Sequence, residues 1–375
     1  MRETSLRELA QLFLKLGSVA FGGPAAHVAM MQDEVVDRRR WFSRQRFLDL
    51  VGATNLIPGP NSTELAIHIG YERAGWAGLL VAGSSFIVPA MLIVMAFAWA
   101  YVEYGSTPAG EALLYGVQPV VIAIVVHALA KLAPTAAKDW LLRGIVVVSI
   151  GLFLAGMNEL LILFGLGLLV MLVRNAARLG SGAAQMLLPV PLILWAQDAG
   201  VPVTLERLFL TFLKIGAVLY GGGYVILAFL QNDFVDRLGW LTQQQLIDAV
   251  SVGQVTPGPV FTTATFIGYV LKGVPGALLA TLAIFLPSFF FVAISHRYIE
   301  RMRSSKWFSG LLDGVNAAAV GLMAGVTIAL AREAIVDVTT VVVAVVALGL
   351  LAVARVNSAW LILAGGAIGL LVDIL

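Results

Sequence analysis

The sequence predicts an all-α polytopic membrane protein of two inverted-topology repeats, each with two re-entrant helical hairpins followed by about four transmembrane helices. Three observations carry that prediction: a composition too apolar for a water-soluble domain, an internal duplication, and basic loops that change sides between the two copies. Of 375 residues, 59% are hydrophobic and 12% charged, where soluble domains carry roughly 25% charged residues. The apolar runs are long and continuous instead of alternating in segments of roughly 10 residues, which selects bundled helices over a barrel. A net charge of +2 gives no footing for nucleic acid, and the lack of cysteine removes disulfides and thiolate metal sites. No cleavage pattern follows Met1-Arg2-Glu3-Thr4-Ser5, so insertion is expected from the helices themselves.

The duplication shows when the chain is slid along itself by 199 residues. Lys15 then falls on Lys214, Asp37-Arg38 on Asp236-Arg237, Trp41 on Trp240, and Pro58-Gly59-Pro60 on Pro257-Gly258-Pro259. Between Lys15 and Pro60 there are 17 identities in 46 ungapped positions, too many for chance similarity of two apolar segments. After the loss of one residue the match continues, with Gly70-Tyr71 on Gly268-Tyr269, Pro89 on Pro287 and Gly116-Val117 on Gly314-Val315. Internal repeats of this kind fix the domain plan before any helix is drawn. The first repeat spans 1–180, a linker with one connecting span covers 181–203, and the second repeat spans 204–375.

In chain order, residues 5–20 form a short helix broken at Phe21-Gly22-Gly23-Pro24, and a second runs from Pro24 to about Arg38, with proline at the tolerated first-turn position. Ser43 caps the next helix, and Thr242-Gln243-Gln244-Gln245 is a capping box at the matching place. That helix runs to Ile57 and stops at Pro58-Gly59-Pro60; a further short helix covers about 61–72. At 1.5 Å per residue each piece is roughly 18–24 Å long, short of a bilayer core of about 30 Å. They read as hairpins that enter and leave on one side. Spans are expected at 74–101, 112–131, 140–156 and 159–173, then one unpaired apolar segment at 186–197. The second half repeats the plan, with hairpins near 204–237 and 242–271 and spans near 275–295, 308–331, 335–354 and 357–374.

Loop charge sets orientation through lysine and arginine. In the first half the basic loops are Arg38 to Arg46, then Lys131, Lys138 and Arg143, then Arg174 and Arg178; Glu103, Glu111 and Glu159 mark the others. In the second half the loop matching Glu103–Glu111 carries Arg297, Arg301, Arg303 and Lys306, and the one matching Glu159 has Arg355. Equivalent loops therefore lie on opposite faces, with the N-terminus cytoplasmic and the C-terminus outside, the architecture of secondary transporters.

Irregular backbone at membrane depth survives only where protein buries it or a wet cavity receives it. Four breaks in symmetric positions would meet near the midplane. A new helix begins at each, so free N–H groups and positive dipole ends would point at a bound oxyanion. The candidate anion-binding residues are Gly22, Gly23, Pro24, Asn55, Gly59, Asn61, Ser62 and Thr63 in the first half. In the second they are Gly221, Gly222, Gly223, Gln254, Gly258, Thr262 and Thr263. Lys15 and Lys214, six or seven residues before the glycine breaks, add charge that is costly inside a membrane; alternatively they snorkel to an interface. The Asn, Ser and Thr groups also suit plain helix caps. Glu64 and His68 share one helix face and are candidates for proton coupling, or belong to a rim-facing polar stripe continued by Glu72-Arg73. His27 and His127 read as packing residues. Asp49 and Asp248 suit pairing with the lysines or with the arginine clusters.

Phe21-Gly22-Gly23-Pro24, Trp41, Asn55-x-x-Pro58-Gly59-Pro60 and the echo Tyr220-Gly221-Gly222-Gly223, Trp240, Gln254-x-x-Pro257-Gly258-Pro259 resemble the chromate ion transporter family, and the fused halves resemble its long, two-domain members. The resemblance covers nearly the whole chain. It implies efflux of chromate from the bacterial cytoplasm across the inner membrane, with resistance to chromate as the outcome and sulfate as the close isostere. Gly223 departs from the pattern by standing where the first half has Pro24. The partners expected are the oxyanion and the lipid bilayer, a homodimer being compatible with the same reading. No cofactor and no resident metal are expected, and no enzyme activity: His-Glu-x-x-His, Gly-x-Ser-x-Gly and a phosphate loop are all absent from the sequence. The alternatives are a carrier of sulfate or another oxyanion and an anion channel, whose filters are also built from broken helices. Single cysteines placed at Ser106 and at Ser304 should label from opposite faces of the membrane; labelling from a common face contradicts the inverted plan.

Overall fold

The computed structural model describes residues 4–21, 23–176, 201–220, 223–295, 305–354 and 356–374. Gly22, Gly221 and Gly222, the connecting segment at 186–197 and the basic loop at Arg297–Arg303 lie outside them. The secondary structure of the described residues is all helical: α1 (Leu6–Val19), α2 (Gly23–Gln32, continued as a π-helix over Asp33–Arg38), α3 (Arg44–Thr54), α4 (Asn61–Tyr104), α5 (Pro108–Ala136), α6 (Trp140–Leu154) and α7 (Glu159–Asn175) make the first half. The second is α8 (Leu205–Val218), α9 (Ile226–Leu230, continued as a π-helix over Gln231–Arg237), α10 (Gln243–Val255), α11 (Thr263–Ser295), α12 (Lys306–Ala334), α13 (Val338–Gly349, continued to Ala354) and α14 (Ser358–Ile374). Among the described residues, four stretches are long and apolar enough to cross a membrane, 61–104, 108–136, 260–295 and 306–334, and this is a multi-pass membrane protein.

Local sequence sets the ends. Ser43 accepts from the Arg46 N–H, and Thr242 with Gln245 forms the expected capping box. The third helix ends sooner than expected, at Thr54, because Asn55 turns its amide back onto the Val51 carbonyl. The span after Thr107 is longer than the expected 112–131, since Thr107 caps Gly110 and Pro108 fits the first turn.

Two ion pairs tie the ends of the short helices of the first half together. Glu8, in the first turn of α1, pairs with Arg39 just past α2 at 2.8 Å, and Arg46 at the start of α3 pairs with Glu72. The chain turns sharply at Ala74-Gly75, where φ at Gly75 is +58°, so the α4 segments before and after it pack against each other. A β-carbon on Gly78 would run into the Gly70 carbonyl, eight residues back. Gly268 and Gly276 repeat this contact in α11, with the turn at Lys272-Gly273. The expected break between 72 and 74 is this reversal.

The halves are not separate bodies. Helix α5 packs on α13 and α14 of the other half, and α12 packs on α6 and α7, while α4 packs on α11 and α5 on α12. Small residues allow it: Gly116 meets Gly365, and Gly314 meets Gly167, both without room for a β-carbon. Near the hairpin mouths, Lys15 pairs with Glu34 at 2.8 Å and Lys214 with Asp233 at 2.6 Å, corresponding lysines held by corresponding acids on the next helix. The two pairs differ in exposure. The Lys15 side chain is 56% exposed; that of Lys214 is 16% exposed, with Asp233 fully buried and Glu159 at 3.8 Å. Removing a partner from a buried pair strands a charge, at about 3–5 kcal/mol, whereas exposed pairs contribute about 0–1 kcal/mol. Asp233→Ala should therefore destabilise the protein several-fold more than Glu34→Ala in thermal unfolding in detergent; equal losses would contradict the burial difference.

Candidate functional site

All four breaks meet at the centre of the molecule. The Gly59 N–H donates to the Leu219 carbonyl at 2.8 Å, and the Gly258 N–H donates to the Ala20 carbonyl at 2.9 Å. Each Pro-Gly-Pro loop is thus bonded to the break that ends the first helix of the other half. The prolines leave only the central N–H to donate, and the glycines adopt φ of +139° and +89°, conformations closed to other residues. Pro24 and Val260 both stand within 3.7 Å of a β-carbon position on Gly223, which joins the remaining breaks to the same point. His27 adds a third partner: its Nε2 lies 2.9 Å from the Ala20 carbonyl, and its ring stands edge-on to Phe86.

A cavity of about 1140 Å³ ends on this junction. Phe21, Pro24, Asn55, Asn61, Tyr220 and Gly223 form its inner wall, and Asn61 donates to Asn55 at 2.8 Å. Towards its mouth it is lined by His127, Lys131 and Lys138, and no acidic residue lines it among those described. Lys138 also reaches Asp313 at 3.2 Å. Asn61, the first residue of α4, lines the inner wall, so the cavity offers an anion a positive mouth and the start of a helix at its base.

A second cavity, about 720 Å³, occupies the corresponding place in the other half, Gln118 standing for Asn316, Ala334 for Ala136 and Val336 for Lys138. Its charges are reversed: Glu111, Asp248 and Glu333 line it. Among the described residues, Asp248 pairs with neither lysine and no arginine. It accepts from the Tyr101 hydroxyl and the Gln118 amide, both at 2.9 Å, and Asp49 accepts from Gln45.

Among the expected site residues, Pro24, Asn55, Asn61 and Gly223 come together in the cavity, and Gly23, Gly59 and Gly258 belong to the breaks themselves. Lys15 and Lys214 do not line it; an intrahelical separation of six or seven residues carries them about 10 Å along the axis, to the acids described above. The Thr262 and Thr263 hydroxyls donate to the Pro259 and Val260 carbonyls three residues back at 2.8 Å, a local back-bond and not an N-cap. Ser62, Thr63 and Gln254 are buried and line neither this cavity nor the second one. Glu64 and His68 are fully buried, not part of a rim stripe. Sequence reasoning missed His127 and Lys131 as lining residues, although their spacing of four, continued to Thr135, marks one helix face.

A model of the chromate transporter family matches residues 7–172 and 206–370, both halves of the chain. A probable chromate transport protein of Synechococcus elongatus is 34% identical over 353 residues, 92% of this chain and 89% of that protein. The chromate transport protein of Cupriavidus metallidurans is 34% identical over 97% of this chain and 92% of its own length, and that of Pseudomonas aeruginosa is 35% identical over 88% and 82%. No solved structure matches. With the family model covering both repeats and these relatives aligned along most of their length, the chain belongs to the chromate transporter family.

Proposed function

We propose that the chain is a secondary transporter that expels chromate from the bacterial cytoplasm across the inner membrane, taking the dianion through the larger cavity to the junction of the four breaks. The observation that carries this reading is the cavity itself, cationic at its mouth, free of acids among the described residues and ending on helix breaks. The names of the relatives supply the cargo. Asn55 and Asn61 offer amide donors, the α4 N-terminus offers free N–H groups, and Lys131 and His127 gather the anion. Lys15 and Lys214 act on the hairpin mouths in this scheme, and Glu64 and His68 on energy coupling.

Sidedness follows from the loops that the cavities collect. The larger one is lined by Lys131, Lys138, Asn357 and Ser358, from two loops that the charge rule assigns to the cytoplasm. The smaller one is lined by Ser106, Glu111, Gln244 and Glu333, from three loops assigned to the outside. That sorting supports inverted repeats with re-entrant hairpins, and a protein open inward. A membrane potential, inside negative, then drives a dianion outward with about 4.6 kcal/mol per 100 mV.

In everted vesicles, Lys131→Ala and Asn61→Ala should each lower chromate uptake by about ten-fold, equivalent to one charge-assisted contact, with unchanged protein in the membrane. Wild-type rates in both variants would remove this cavity from the path. Equal inhibition of chromate flux by sulfate would widen the cargo to tetrahedral dianions in general.

A further inference from the structure

We propose that Glu64 and Ser288 form a proton site built across the two halves, the Glu64 carboxyl of α4 and the Ser288 hydroxyl of α11 both set against Gly59 of the Pro58-Gly59-Pro60 loop. Its role in energy coupling rests on the carrier reading above; the site itself rests on geometry. Both side chains are fully buried. Neither Glu64 oxygen nor the Ser288 hydroxyl has a hydrogen-bond partner among the described residues, so three buried polar atoms are left to be satisfied at one place. Both crowd the same point, since a β-carbon on Gly59 would meet Glu64 Oε1 and would stand 2.6 Å from Ser288 Oγ. The Gly59 N–H is the one bonded to the Leu219 carbonyl, so the pair sits directly on a junction between halves.

The duplication supplies a control inside the molecule. At Gly258 the same position meets the Ala90 methyl at 2.6 Å and the Gly17 carbonyl at 3.1 Å. Ala90 is the repeat counterpart of Ser288, and Glu64 falls on the Thr262-Thr263 pair. One Pro-Gly-Pro loop therefore carries an acid and a hydroxyl where the other carries a methyl. Such a pair suits a proton and not a metal ion. Hard cations ask for six or more oxygens, and no group of three His, Asp or Glu side chains is gathered among the described residues. Intramembrane carboxyls of this kind mark proton relays. The titratable neighbours are His68, one turn along α4 and buried, and Tyr220 at the opposite break, close enough to feel charge on Glu64. Leu219 and Ser288, the contacts from α8 and α11, bring no titratable group. Because Glu64 and Ser288 come from different halves, any movement of α11 against α4 changes what the proton sees.

The test uses dicyclohexylcarbodiimide, which reacts with protonated carboxyls in apolar surroundings, on the full chain in liposomes, with modification of Glu64 read by mass spectrometry across pH. Wild type should be modified at Glu64, and Ser288→Ala should move the pH of half-modification by about one unit, a ten-fold change in proton affinity. In the same liposomes Ser288→Ala should lower protons moved per chromate about five-fold while chromate exchange stays within about two-fold, and Ser288→Thr should restore coupling. Identical modification curves and proton flux in wild type and Ser288→Ala would overturn the proposal. Chromate transport without modification of Glu64 sinks the proton site and leaves the carrier; a Ser288-dependent curve without chromate transport does the reverse.

Discussion

Two backbone hydrogen bonds, from Gly59 to the Leu219 carbonyl and from Gly258 to the Ala20 carbonyl, hold the centre of this protein together. They solve a problem of the membrane interior. Every helix break there frees polar groups that no water satisfies, at a cost of several kcal/mol each. Pairing the loop of one half with the break of the other satisfies a donor and an acceptor at once, and does so twice because the chain is duplicated. Of the two helix starts that follow these loops, that of α4 lies at a cavity wall through Asn61. On the proposed reading, closure of the fold and recognition of the anion draw on the same helix breaks.

The exchange of helices adds a second constraint. With α5 packed on α13 and α14, and α12 on α6 and α7, the repeats are interlocked along glycine-lined seams. Halves joined in that way do not rock as two rigid bodies. The units with fewer shared seams are the hairpins, α1 to α4 and α8 to α11, which meet through the central junction and the contact of α4 with α11. On the carrier reading proposed above, a movement that alternates access would pass through that contact, where Gly59, Glu64 and Ser288 lie.

The duplicated motif made the breaks legible, because a Pro-Gly-Pro that recurs in register with a capped helix is a backbone instruction that tertiary packing cannot rewrite. Ser43 and Thr242 marked helix starts for the same reason: a hydroxyl satisfying its own N-terminal amides is a local event. Lys15 and Lys214 misled because an intramembrane cation signals the need for a partner without naming it; Glu34 and Asp233, nineteen residues on, were closer in space than the breaks. Ser288 was invisible for a related reason. A single hydroxyl in the apolar run of α11 gains meaning only when the fold sets it against Glu64, and the comparison with Ala90 then shows that it departs from its repeat. Lys131 and Lys138 were read as topology charges, which does not exclude lining a cavity: a charge that faces the cytoplasm also faces whatever opens there.

The claim that the four breaks share one ion site is tested most directly by a cysteine pair at Pro24 and Gly223, in a chain that has no cysteine of its own. A β-carbon on Gly223 would stand 3.7 Å from Pro24 Cγ, which makes the two positions neighbours and a disulfide between them worth attempting. Oxidation of the Pro24→Cys, Gly223→Cys protein should form the bond readily, and saturating chromate should slow its formation. Failure to form it, or formation at a rate that chromate leaves unmoved, would contradict a shared site.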